Sequence, residues 1–270
     1  CLKYMKKIIY TLIIIIAFSS CNEYQKALKS TDIGTKFKLG LELYDAEKWS
    51  KANRLFVQIV PKYRGKPQAQ KLMYMYSMTF YKMRDYYTAN YQFERFVSSY
   101  PDSEKAEESA FLGAKSYYQL SPAYTKEQKE TIEAIEKLQE FINRFPESQY
   151  LSEANILVKE LEYKLEIKAY SIAEQYNRIQ DFQASIKSFD NFILDFPGTT
   201  LREKAMFYRL DSAYKLAVNS VPWKKEERLK TAITYFNSYN RAYVNSEHNE
   251  EANKMHEELN GLLKEYNTKS

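Results

Sequence analysis

Apolar and polar positions along this chain alternate with the period of a helix, and the helical stretches themselves recur. Sliding the sequence by 37 residues superposes Phe37, Tyr74 and Phe111, then Tyr44, Tyr81 and Tyr118. The same shift brings Ala52 onto Ala89, Phe56 onto Phe93 and Tyr63 onto Tyr100. A second-helix signature continues further along. It returns in AIEKLQEFINRFP (Ala134, Leu138, Phe141, Phe145, Pro146), in SIKSFDNFILDFP (Ser185, Phe189, Phe192, Phe196, Pro197) and in AITYFNSYNRAYV (Ala232, Phe236, Tyr239, Tyr243). A unit of two helices and roughly 34 to 40 residues cannot bury its apolar face alone and stacks on its neighbours. The pattern therefore predicts an all-α solenoid of five helix pairs.

Breaks in the pattern organise the rest. QLSPAYTKEQKET at 119–131 reads as a long loop inside the third repeat, and NSVPWKKEER reads as a loop that splits the fifth at Pro222. From Tyr150 to Asn177 there is no Pro or Gly, and periodicity persists through Ile156, Leu157, Leu161, Leu165, Ile172 and Ala173. That stretch predicts one long helix joining an N-terminal half with repeats 1–3, residues 33–149, to a C-terminal half, residues 150–270. The second half ends in an amphipathic capping helix from Glu247 to Tyr266.

The arrangement resembles tetratricopeptide repeats, which implies a right-handed superhelix. The small residue eight places into the first helix of such repeats corresponds to Gly40, Ser77, Ala114 and Ala173, and the one opening the second helix to Ala52, Ala89, Ala134 and Ala232. Two helices that cross closely need small side chains at both places, and a proline after the second helix stops it and turns the chain.

The N-terminal segment is of another kind. Ile8 to Phe18 is a short uncharged apolar run behind Lys6 and Lys7. A spanning helix needs roughly 20 apolar residues, so residues 1–20 read as a secretory signal, with Met5 as the expected start. Phe18-Ser19-Ser20-Cys21 resembles the bacterial lipobox, in which the cysteine is acylated and becomes the new N-terminus. An ordinary signal peptide followed by a free thiol is the alternative. If Cys21 carries lipid, residues 21–32 form an anchored linker, and two or three acyl chains give the stable anchoring that one chain does not.

Removing that segment changes the charge picture. The whole chain has 40 Lys plus Arg against 35 Asp plus Glu, but Lys3, Lys6 and Lys7 precede Cys21 and leave 37 against 35. Acids and bases are interleaved, so no nucleic-acid footprint is expected. Catalytic signals are equally sparse. His248 and His256 lie eight apart without a third ligand at metal spacing and are expected to be solvated. The chain lacks a glycine-rich phosphate loop and a G-x-S-x-G, and the carboxylates of Glu107-Glu108 and Glu257-Glu258 read as charged helix surface. An enzyme, a metal or a cofactor other than the lipid on Cys21 is not expected.

NEYQKALKSTD directly after Cys21, YRGKPQA at 63–69 and KSYYQLSPAYTKEQKET at 115–131, set among five such repeats, resemble the BamD family of outer-membrane β-barrel assembly lipoproteins, in the form found in Bacteroidota-type bacteria. The resemblance covers the mature chain. It implies a periplasm-facing scaffold, lipid-anchored in the outer membrane, that binds POTRA domains of a BamA-like barrel protein and helps receive unfolded outer-membrane proteins. By the same resemblance the BamA contact falls around repeats 4 and 5, where Lys224, Lys225 and Arg228 are either contact residues or a solvated loop. A generic cell-envelope tetratricopeptide-repeat lipoprotein, related to cell wall or division, would share the repeats and the lipid but not the quoted segments.

The candidate binding residues are the rings of the first helices. Phe37 and Tyr44, Tyr74 and Tyr81, and Phe111 and Tyr118 are each seven apart, two helical turns, so each pair lies on one face. Where first helices line an inner surface, as in the repeats this chain resembles, six rings would form a strip suited to an extended chain: large contact area, low entropic cost, and hydroxyls that can bond peptide groups. The other reading packs some of these rings between the two helices of a repeat.

Overall fold

The structure is a computed structural model, and it describes residues 23–269. The expected signal segment and Cys21 lie outside the described residues, among which every regular element is helical and no strand occurs. In order these are α1 (residues 23–29), α2 (Ile33–Asp45), α3 (Trp49–Ile59) with a 3₁₀ turn at Val60–Tyr63, α4 (Ala69–Lys82), α5 (Tyr86–Ser99), α6 (Ala106–Leu120) and α7 (Lys129–Arg144). Then follow α8 (Leu151–Arg178), α9 (Phe182–Asp195), α10 (Arg202–Val218), α11 (Pro222–Ala242) and α12 (Asn249–Lys269). None of the described helices is long and apolar enough to cross a membrane.

The chain divides into two compact units. The first reaches Pro122 and resumes over Gln128–Leu161; the second takes Ala123–Glu127 and everything from Glu162. The division falls inside α8, between Leu161 and Glu162. In the first unit the pairs α2/α3, α4/α5 and α6/α7 stack in chain order, each helix packing on the next. The opening of α8 closes that stack, placing Ala154, Leu157, Val158 and Leu161 against Ala134, Leu138 and Phe141 of α7. In the second unit the remainder of α8 packs on α9, where Tyr170 and Ala173 meet Phe189 and Phe192. There α10 packs on both α9 and α11, and α12 covers α10 and α11.

Small residues let the helices of a pair approach. Ala52, Ala89, Ala134, Ala173, Ser185 and Ala232 are fully buried, as is Ser77. At Gly40 a Cβ would sit 2.5 Å from Phe56 Cε1, so the ring of α3 occupies the space a side chain on α2 would need. In the fourth pair the two small positions touch directly, Ser185 Oγ donating to the carbonyl of Ala173 at 3.1 Å.

The turns within three of the five pairs share one geometry. Glu47, Arg84 and Gln180 follow α2, α4 and α8 in the left-handed conformation, with φ of 57°, 62° and 66°. Each lets the next amide bond back to the carbonyl five residues before it, Lys48 N to Leu43 O, Asp85 N to Phe80 O and Asp181 N to Tyr176 O at 2.8, 3.0 and 3.0 Å. That pattern is a Schellman stop. Asp85 and Asp181 then cap the following helix through their carboxylates.

The turns after α5, α7, α9 and α11 use a serine or threonine instead. Ser103, Ser148, Thr199 and Ser246 accept the amide two residues on at 3.1, 3.0, 3.1 and 3.0 Å. Three of these hydroxyls also reach back to the first helix of the preceding pair: Ser148 donates to Glu107 at 2.6 Å, Ser246 bonds Glu203, and Ser103 bonds Gln70.

Two expectations are corrected. Pro222 does not split the fifth repeat with a long loop, because it occupies the first turn of α11, where a missing N–H costs nothing. The connection shrinks to residues 219–221, and Lys225 and Arg228 belong to a helix. Their side chains reach back to the end of α10, Lys225 Nζ to Val218 O at 3.2 Å and Arg228 to Ser220 Oγ at 2.8 Å. The histidines are not simply solvated either. His248 stacks on Phe207 with centroids 4.2 Å apart and His256 on Phe236 at 3.9 Å, so both rings serve packing.

Candidate functional site

The first helices α2, α4 and α6 carry the predicted rings, and the structure separates the six by burial. Phe111 lies in the core, 2% exposed, stacked on Tyr150 at 4.7 Å and tilted against Phe141 at 5.4 Å. It offers no surface to a ligand. The other five are half-buried. Phe37 stacks on Tyr63 at 5.2 Å, Tyr44 meets Trp49 edge-on at 5.0 Å, and Tyr74 meets Phe96 at 5.9 Å. Tyr81 packs edge-on against Tyr86 at 5.6 Å. The rings therefore turn one face to their own repeat and leave the rest to the surface.

Charged side chains that the ring pattern did not reveal sit between them. On α6, Glu108 receives the Lys105 ammonium at 2.7 Å, and that ammonium also lies 5.3 Å from the centre of the Tyr74 ring. Burial first, and then the neighbouring Glu108 carboxylate, hold the Tyr74 hydroxyl protonated far above the usual phenol range. Burial pushes Tyr44 up to about 12, with help from the charges of Glu108 and Asp45. One layer further along, Lys115 pairs with Glu153 of α8 at 2.5 Å. At the end of α6 the Tyr118 hydroxyl donates to Glu160 of α8 at 2.6 Å, a bond that with burial raises its pKa to about 12.

The second unit repeats this device by itself. Tyr214 of α10 donates to Glu258 of α12 at 2.6 Å, and that hydrogen bond, more than burial, raises its pKa to about 12. A buried polar network also joins three helices of this unit. Asn177 donates to Asp211 Oδ2 and to Ser212 Oγ at 2.8 Å each, Ser212 meets Ser185 at 2.8 Å, and Lys215 reaches Asp211 at 2.7 Å.

Glu108 and Glu258, read from the sequence as plain charged surface, are tyrosine partners instead, and these pairings escaped sequence reasoning for a definite reason. The partner carboxylates stand 42 residues after Tyr118 and 44 after Tyr214, so unequal repeat lengths take them out of the register in which the rings align.

Tyr44, Tyr74, Met75 and Phe96, with Gln70, Lys71 and Lys105 at the edge, border a groove of about 470 Å³ in the first unit. Its walls are aromatic and its rim is polar. Among the described residues no three of His, Cys, Asp and Glu are grouped to hold a metal ion. The arrangement can hold a polypeptide segment against ring faces, with the exposed Lys71 ammonium at the rim to meet backbone carbonyls or a carboxylate.

A family profile described as YfiO, outer membrane lipoprotein, matches residues 31–229. Among curated proteins none matches the chain.

Proposed function

Because the chain belongs to the YfiO family of outer membrane lipoproteins, we propose that it is a non-catalytic scaffold of β-barrel assembly, anchored through acylated Cys21 on the periplasmic side of the outer membrane. In this reading it binds POTRA domains of a BamA-like protein through the second unit and engages segments of unfolded outer-membrane proteins through the first-helix face of the first unit. The family match over residues 31–229 carries the proposal. Supporting it, the first unit offers a ring-walled groove with a polar rim rather than a constellation of reacting groups.

The deciding experiment is extraction of native membranes in mild detergent followed by isolation of this protein. A BamA-like partner should come with it in stable proportion. Its absence, with cell-wall or division proteins recovered in its place, would favour a generic envelope scaffold. The anchor has its own test: Cys21→Ser should leave the precursor uncleaved or release the protein into the soluble periplasmic fraction. Unchanged membrane fractionation, with a mature N-terminus elsewhere, would overturn that part.

A further inference from the structure

We infer that the α10–α11 turn of the second unit is a bilayer-contact tip, with Trp223 as the group that settles at the level of the lipid headgroups. Trp223 is 78% exposed, and Val221 beside it is 41% exposed. The other tryptophan of the chain, Trp49, packs edge-on against Tyr44. An exposed Trp is unusual enough to need a reason, since the indole is a large apolar group with a single polar edge and is enriched where an apolar phase meets water.

Helix geometry fixes the place of that residue. Asn177, at the end of α8, bonds Asp211 and Ser212 of α10. From there α10 continues to Val218, so at 1.5 Å per residue its end runs on by roughly 10 Å before the chain turns. The turn itself is short, and Pro222 starts α11 at once, so Trp223 sits on a fixed first turn.

Charge favours an anionic surface. Between 224 and 230 stand Lys224, Lys225, Arg228 and Lys230 against Glu226 and Glu227, and Lys230 already holds Glu226 at 2.5 Å. The hydrogen bonds of Lys225 to Val218 O and of Arg228 to Ser220 Oγ keep two of the cations beside the turn. Lys224 is exposed, and Nζ on its flexible stem can meet a headgroup phosphate while the ring beside it enters the interface.

A protein partner fits this tip less well. Stable interfaces cover about 800 Å² per side and surround a buried anchor with a ring of other contacts. Here the exposed apolar surface is two neighbouring side chains on a short turn, Trp223 and Val221, which suits a fluid phase that closes around any shape. The inference rests on the membrane tethering contained in the proposed function, so its test supplies the tether independently.

The whole mature chain, carrying an N-terminal histidine tag, is held on nickel-chelating vesicles of phosphatidylethanolamine and phosphatidylglycerol, some with acyl chains brominated near the headgroup. Trp223 emission should shift to shorter wavelength and be quenched by the brominated lipid. Trp223→Phe, which leaves Trp49, should abolish that quenching, and Lys224→Glu should reduce it. Tethered protein whose Trp223 emission is unchanged would overturn the inference. So would a shift seen only after a POTRA-bearing protein is added, which would assign the tip to a protein partner. A failed Cys21 anchor leaves this experiment intact.

Discussion

At the scale of the residue, close packing and proton affinity make the sharpest demands. Gly40 and Gly113 are both helical glycines on first helices, yet they face different surroundings. A Cβ on Gly40 would fall 2.5 Å from Phe56, whose ring is fully buried, while one on Gly113 meets Phe93 Cβ at an ordinary 3.4 Å. Gly40→Ala should therefore cost about 1–3 kcal/mol through overpacking. Gly113→Ala should be neutral or gain up to roughly 1 kcal/mol from helix propensity. Urea midpoints of the two variants decide the matter, and equal shifts would show that the α2/α3 crossing relaxes. The tyrosines make a pH prediction. Tyr44, Tyr118 and Tyr214 are raised to about 12 in the folded chain against an ordinary value of 10. A raised folded pKa means that the native state holds the proton longer, so this contribution is fully present below pH 10 and is lost as pH rises through 12. Thermal midpoints should fall steeply across that window, and phenolate absorbance should rise together with the loss of helical signal. Tyr118→Phe should soften the alkaline decline; an unaltered curve would mean that the Glu160 bond adds nothing to it.

At the scale of the element, what was legible in the sequence was what side-chain identity alone decides. The small residues at the pair crossings are buried where the recurrence placed them, and the Pro-free stretch after Tyr150 is one helix, because both follow from which side chains can occupy a close crossing or continue a hydrogen-bonded ladder. Pro222 misled for the complementary reason: the residue that ends a helix from inside is also well suited to begin one, and only the position of the preceding stop at Asn219 separates the two. The stops themselves were hidden. Glu47, Arg84 and Gln180 hold a left-handed conformation that glycine adopts without steric cost, and no glycine marks the place. Each should pay about 1 kcal/mol for it, so Arg84→Gly is expected to stabilise the α4/α5 turn by roughly that amount. Guanidinium unfolding of the variant measures it directly. A loss would show that the Arg84 side chain contributes more than its backbone strain costs.

At the scale of the whole molecule the question is whether the ring-bearing face of the first unit works as a binding surface or only as packing, and the two can now be separated. Period-seven spacing identifies a face of a helix but not which neighbour closes over it, which is why Phe111 reads like Tyr74 in sequence and is core in the structure. Tyr44 and Tyr81 lie between these extremes, each half-buried and in edge contact with rings of its own repeat. Tyr44→Ala with Tyr81→Ala is therefore expected to cost several kcal/mol of stability, as emptied aromatic sites do, rather than leave the melting temperature unchanged. A loss of binding in that variant would say nothing about contact. Lys71 is the better probe: it lines the same groove, is exposed, and its substitution leaves the rings in place. If an extended segment lies in the groove with a carboxylate or backbone carbonyls toward this rim, Lys71→Glu should weaken photo-crosslinking of a C-terminal barrel-protein peptide to the first unit. It should leave both the melting temperature and co-purification of the BamA-like partner as they were, because the proposed partner contact belongs to the second unit. Unchanged crosslinking at unchanged stability would remove the groove from the binding path. A joint loss of peptide and partner would instead mean that the two activities share one surface.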